Sequence, residues 1–152
     1  MKKTVLLGFM ALLLHACILQ SEFALPEKEH IDTALLGQWK MENTEGEVRF
    51  VKKTKTRYDI MFSSPNKFFD RMEAYVVVFG KHKVLNIISF SEEKSYNAFV
   101  EYWITDKGFV YQEVSDVDVS EFKNESDLLQ HFENNIDRPH FLSEEKIVFT
   151  KL

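Results

Sequence analysis

Chemistry near neutral pH would begin at histidine and carboxylate side chains. His131, Glu133, Asp137 and His140 fall within ten residues and carry the donor atoms of a metal site. Their spacing works against one. On a helix, residues two apart point about 200° from each other, so His131 and Glu133 cannot chelate together. His131 and His140 are separated by a stretch containing Arg138 and Pro139. These four residues therefore read as structural or surface groups. His82 lies between Lys81 and Lys83, just after Gly80, and reads as a solvated hairpin-tip residue. Ser89 and Ser91 lack the Gly-x-Ser-x-Gly elbow of an activated serine. Five dispersed glycines make no phosphate-binding loop. The expectation is a chain that is not an enzyme, with no catalytic residue, no cofactor and no metal site.

The aromatic stock is the remaining feature with functional content. Aromatic residues make up 14% of the chain, including 14 Phe. They crowd the middle of the sequence, from Phe68 and Phe69 through Tyr75, Phe79, Tyr96, Phe99, Tyr102, Trp103 and Phe109 to Tyr111. Such side chains fill the interior of a small barrel. They also line apolar cavities and protein interfaces. Trp39, Phe99 and Trp103 are the candidate contacts to a ligand or partner. Phe99 and Trp103 stand opposite the Ala98, Val100, Tyr102 and Ile104 face of one strand, so that both faces of it are apolar.

The elements that would position these residues are mostly strands. Asp32 is placed to cap a short helical turn, Thr33 to Leu36. Period-two alternation marks strands at Gly37–Glu42, Glu47–Lys52, Arg57–Phe62, Phe69–Phe79, Lys83–Phe90, Asn97–Thr105, Phe109–Val114 and Lys146–Leu152. Thr44-Glu45-Gly46, Ser63 to Asn66, Gly80-Lys81 and Asp106-Lys107-Gly108 supply turns. Between the last two strands the period changes. Ser126 is a candidate N-cap, and Asp127–Asn135 reads as a helix with Leu128, Leu129 and Phe132 on its apolar side, continued by Ile136. The expected fold is mainly β: an antiparallel meander of about eight strands, barrel-like, with one helix before the last strand. Closure would remove the exposed edges.

Charge narrows the partners. The net charge is −5, and loss of Lys2 and Lys3 would take it to −7. An acidic domain does not suit nucleic acid or broad adhesion to anionic headgroups. The basic run Lys52 to Arg57 lies between two strands and reads as a solvated hairpin tip. At the N-terminus, Met1-Lys2-Lys3 precedes an apolar run from Thr4 to Leu14. That run is shorter than the roughly 20 residues that span a bilayer and suits a secretory signal.

Leu14-His15-Ala16-Cys17 resembles the bacterial lipobox, with His15 in place of the more usual small or β-branched residue. The resemblance implies cleavage before Cys17 and a lipid on its thiol. Cys17 is the single cysteine, so no intrachain disulfide competes for it. Ile18, rather than Asp, follows it, which by the same resemblance implies the outer membrane, facing the periplasm, in a host with two membranes. The implied organisation is a signal peptide at 1–16, a lipidated tether at 17–29 and a single β-rich domain at 30–152. Leu36-Gly37-Gln38-Trp39 resembles the Gly-x-Trp element that opens lipocalin-like (calycin) barrels, in which the Trp closes one end. The domain as a whole resembles small lipocalin-like bacterial envelope lipoproteins, a likeness that implies an architecture and no activity.

These readings lead to a membrane-anchored envelope lipoprotein whose β domain binds another envelope protein, in assembly, inhibition or a structural role. The alternative is a lipocalin-like binder of an apolar or amphipathic small molecule. Metabolic labelling with radioactive palmitate in a bacterial host is expected to mark the chain and to be abolished by Cys17→Ser. Equal labelling of both would refute the lipobox reading.

Overall fold

The structure is a computed structural model that describes residues 19–64, 67–68, 71–115 and 121–152. Cys17 and its lipobox lie outside the described residues. Among the described residues ten strands follow in order: β1 (Gln20–Ser21), β2 (Gly37–Met41), β3 (Glu47–Lys52), β4 (Arg57–Ser64), β5 (Lys67–Phe68), β6 (Met72–Phe79), β7 (His82–Phe90), β8 (Ser95–Ile104), β9 (Gly108–Glu113) and β10 (Ile147–Lys151). One helix, α1 (Glu125–Asn135), precedes β10. Every strand pairing is antiparallel.

Eight of these strands close into a barrel. The sheet runs β8-β7-β6-β4-β3-β2-β10-β9, and β9 pairs back onto β8. The seam is β10, which meets β2 through Phe149↔Met41 and β9 through Phe149↔Phe109. The lipocalin-like meander with a helix before its last strand is thus the fold. Alternation decides what fills it. Trp39, Val48, Phe50, Tyr58, Ile60, Val76, Leu85, Tyr102, Phe109 and Phe149 form the interior cluster. Phe109 is its hub: it stacks on Phe149 at 4.5 Å and meets Trp39 and Phe50 edge-on at 5.1 and 5.8 Å.

A second core lies outside the barrel wall. Tyr75, Val77, Val84 and Phe99 face outward and pack with Leu128, Phe132, Ile136 and Phe141. The second apolar face of β8 is therefore the seat of α1. The helix begins at Glu125, two residues earlier than the Asp127 start that a cap at Ser126 implies. Asn124 is the cap, its side-chain oxygen accepting from the Asp127 amide at 2.9 Å. β6 begins at Met72 rather than Phe69, and β4 runs on through Ser64 with β5 folded back on it.

The largest correction concerns the segment expected to be a free tether, 17–29. From Leu19 onward it is a strap packed on the barrel. Leu19 and Leu25 are buried, and β1 pairs with β8 through Gln20↔Ala98 and Ser21↔Asn97. Two buried amides latch it: Asn86 Oδ1 accepts from the Leu25 amide at 2.9 Å, and Asn97 Nδ2 donates to the Ser21 carbonyl at 3.3 Å. Asn86 also donates to Asn97 at 2.8 Å. Three aperiodic apolar residues, Leu19, Phe23 and Leu25, carry too little pattern to mark such a strap in sequence.

Two stability changes follow. Asn86→Ala leaves the buried Leu25 amide unpaired and is expected to destabilise by about 1–3 kcal/mol in urea unfolding. Gly108→Ala would drive a Cβ into the Phe149 carbonyl across the seam. It is expected to cost about 3 kcal/mol or more, at the top of the overpacking range, because both neighbours are backbone.

Candidate functional site

Inside the barrel the rings of Trp39, Phe50, Tyr58, Phe109 and Phe149 pack on one another at one end. That end is plugged. Asp32 caps the 3-10 turn Thr33–Leu35, its carboxylate accepting from the Ala34 amide as the capping pattern predicts. The same carboxylate meets Lys83 Nζ at 2.9 Å and accepts from Tyr102 Oη at 3.1 Å. Tyr58 Oη donates to the Asp32 carbonyl at 2.9 Å. Burial alone would raise the Asp32 pKa, but Lys83, the Ala34 amide and Tyr102 together hold it below the usual value. Burial pushes both tyrosine hydroxyls well above theirs. Both phenols pin the 3-10 turn to the barrel wall through Asp32.

Trp39 sits at this plugged end. It is buried, donates from Nε1 to the Leu35 carbonyl at 2.8 Å and carries Lys151 over its ring at 5.4 Å. Phe99 is fully buried beneath α1, against Phe132 at 5.1 Å. Trp103 is the one of the three candidate contacts that keeps an exposed surface, on the outer wall, with Lys146 Nζ 5.6 Å from its ring centroid.

The opposite rim is apolar and partly open. Phe62, Met72, Ile87 and Tyr111 pack half-buried on the interior cluster. At the β7–β8 hairpin, Phe90 and Tyr96 are 52% and 41% exposed. Residues of the neighbouring 65–66 and 69–70 lie outside the described set.

His82 is not the solvated tip that its lysine neighbours suggest. Its ring bridges Glu101 at 2.6 Å through Nδ1 and Asp137 at 2.8 Å through Nε2, tying β7 and β8 to the end of α1. Burial lowers its pKa, but the hydrogen bonds to Asp137 and Glu101 outweigh that, and the net shift is upward. His131 goes the other way. It packs among Phe122, Phe132 and Phe141, its Nε2 has no partner among the described residues, and burial lowers its pKa. His131, Glu133, Asp137 and His140 do not gather, and no metal-binding group forms among the described residues. The basic run is also less solvated than expected. Arg57 binds Glu27 at 2.5 Å and Glu73 at 2.7 Å, and Lys53 binds Glu73. Arg71 holds Asp59 at 2.6 Å. These cations offset the cross-strand Asp59↔Glu73 pair of like charges.

The class defined by this geometry is a filled lipocalin-like barrel with a helix on its outer wall. Comparison with known protein families, with curated proteins and with solved structures finds no match for the chain.

The two shifted histidines predict opposed pH effects. His82 has its pKa raised on folding, so its contribution is complete below the unfolded value near 6.5 and is lost as pH rises through the folded one. His131 has its pKa lowered, so its contribution is present above that value and is lost on acidification. Urea titrations between pH 5 and 8.5 are expected to show His82→Gln removing the alkaline loss and His131→Leu removing the acid loss. Unchanged profiles would contradict both assignments.

Proposed function

We propose that this chain is an envelope lipoprotein, anchored through a lipid on Cys17, whose barrel docks another envelope protein with the rim around Phe90 and Tyr96. The observation that carries the reading is the contrast between interior and rim. Trp39, Phe50, Tyr58, Tyr102, Phe109 and Phe149 are buried together inside the barrel. Apolar side chains instead reach solvent at the β7–β8 hairpin, where Phe90 and Tyr96 are exposed. Tyr, Phe and Met are enriched in protein interfaces, and one or two aromatic anchors carry much of the affinity. The same contrast weighs against the small-molecule reading, because an apolar ligand would have to displace the Phe109 stack. The acidic balance of the chain supports a protein partner over nucleic acid.

The test is site-specific photocrosslinking in cells from position 96, with position 49 on the far wall as reference. A single partner band from position 96 is expected. The identified partner, purified, should bind Tyr96→Ala and Phe90→Ala about tenfold more weakly than the parent, with unfolding midpoints unchanged. No partner band, together with a bound small molecule of a few hundred daltons in native mass spectrometry, would replace this reading with the ligand-binding one.

A further inference from the structure

His82 stands between two groups that only accept hydrogen bonds. Its Nδ1 lies 2.6 Å from a Glu101 carboxylate oxygen, and its Nε2 lies 2.8 Å from an Asp137 carboxylate oxygen. A neutral imidazole carries one N–H and one lone pair. It donates to one of these carboxylates, and its lone pair then faces an oxygen of the other. An imidazolium donates to both. The geometry is therefore that of the doubly protonated ring. The side chains of His82 and Glu101 are both 15% exposed, so water competes weakly for the inner bond, whereas Asp137 is 79% exposed.

Two further charged groups border the same corner: Glu133 from α1 and Lys81 from the β6–β7 turn. Lys83 is engaged by Asp32 at the plugged end of the barrel. β6 contributes Val78 and Phe79, which carry no charge. Glu101, Asp137 and Glu133 thus outnumber Lys81 around the ring, a balance that favours its charged form.

The bridge holds a short span of chain. Leu128 and Phe132 are fully buried on the outer wall, and Phe141 packs on Phe132 at 5.3 Å. Glu133 to His140 run between those fixed points. Within that span Ile136 is buried, and Asp137 carries the tie to His82. The Ile136 amide donates to the Phe132 carbonyl at 3.0 Å, and the Arg138 amide to the Asn135 carbonyl at 2.8 Å. Those two bonds stay within α1 and its end, so they do not fasten the span to the barrel.

We infer that His82 is a proton-operated clasp: the imidazolium holds the 133–140 span against the β6–β7 hairpin, and the neutral ring releases it while the barrel and the buried half of α1 stay in place. The opening is local and distinct from global unfolding. The sign follows from the partners. The bridge is complete at low pH and weakens as the ring loses its second proton. The upward shift of the His82 pKa sets that loss above the ordinary histidine value.

The full chain, carrying isotope-labelled histidine, is the sample. Imidazole nitrogen shifts, assigned through their loss in His82→Gln, are expected to show both His82 nitrogens protonated at about pH 7. A single N–H there would overturn the inference. Amide hydrogen exchange, corrected for its intrinsic pH dependence, reads the release. From about pH 6 to about pH 9 the Ile136 and Arg138 amides are expected to lose about tenfold in protection, the scale of one charge-assisted hydrogen bond. The Val114 amide, which donates to the Phe99 carbonyl at 3.0 Å, is the reference and keeps its protection. No loss at Ile136 and Arg138, or an equal loss at Val114, would overturn the clasp. Asp137→Asn separates a clasp from a merely structural contact. The Asn amide donates to a neutral Nε2, so this variant is expected to keep Ile136 and Arg138 protected at the alkaline end. A pH step as large as the parent's in that variant would assign the titration to another group and overturn the inference.

Discussion

The packing of Phe109 is the contact on which the rest of the molecule depends. It stacks on Phe149 across the seam strands and meets Trp39 and Phe50 edge-on, so one ring joins β9, β10, β2 and β3. Gly108 beside it lets the β9 and β10 backbones approach closely. Without that seam the sheet would carry two open edges, each able to pair with another chain. The same rings occupy the axis of the barrel, so closure and the filled interior have one cause.

Closure gives each barrel strand an inner and an outer face. β8 shows how. Its inward face supplies Val100 and Tyr102 to the barrel, and its outward face supplies Phe99 to α1 and a half-buried Trp103 to the outer wall. The strap and α1 share the outer core, and their ties differ in kind. The strap is latched by buried amides, Asn86 and Asn97, which lose free energy if either partner goes. The end of α1 is tied by His82 between two carboxylates, a bond whose strength depends on pH.

Alternation over short runs, turn triplets such as Asp106-Lys107-Gly108, and the change of period at Leu128 were enough to mark the eight barrel strands, the late helix and the meander, but not the two-residue strands β1 and β5. These features are local, and each records which face of an element is apolar. The aromatic richness of β8 and the Gly-x-Trp start were equally legible, as was the capping role of Asp32. What the sequence by itself determined is therefore the element order and the two-faced character of β8. Tertiary structure alone decided the use of each face: Phe99 became core under a helix, Trp39 became a plug, and Trp103 stayed accessible. It also turned 19–27 from an expected linker into a strap, and His82 from a hairpin tip into a clasp. Those outcomes depend on residues far apart in the chain, such as Leu25 with Asn86 and His82 with Asp137, and a local pattern carries no record of a partner 50 or more residues away.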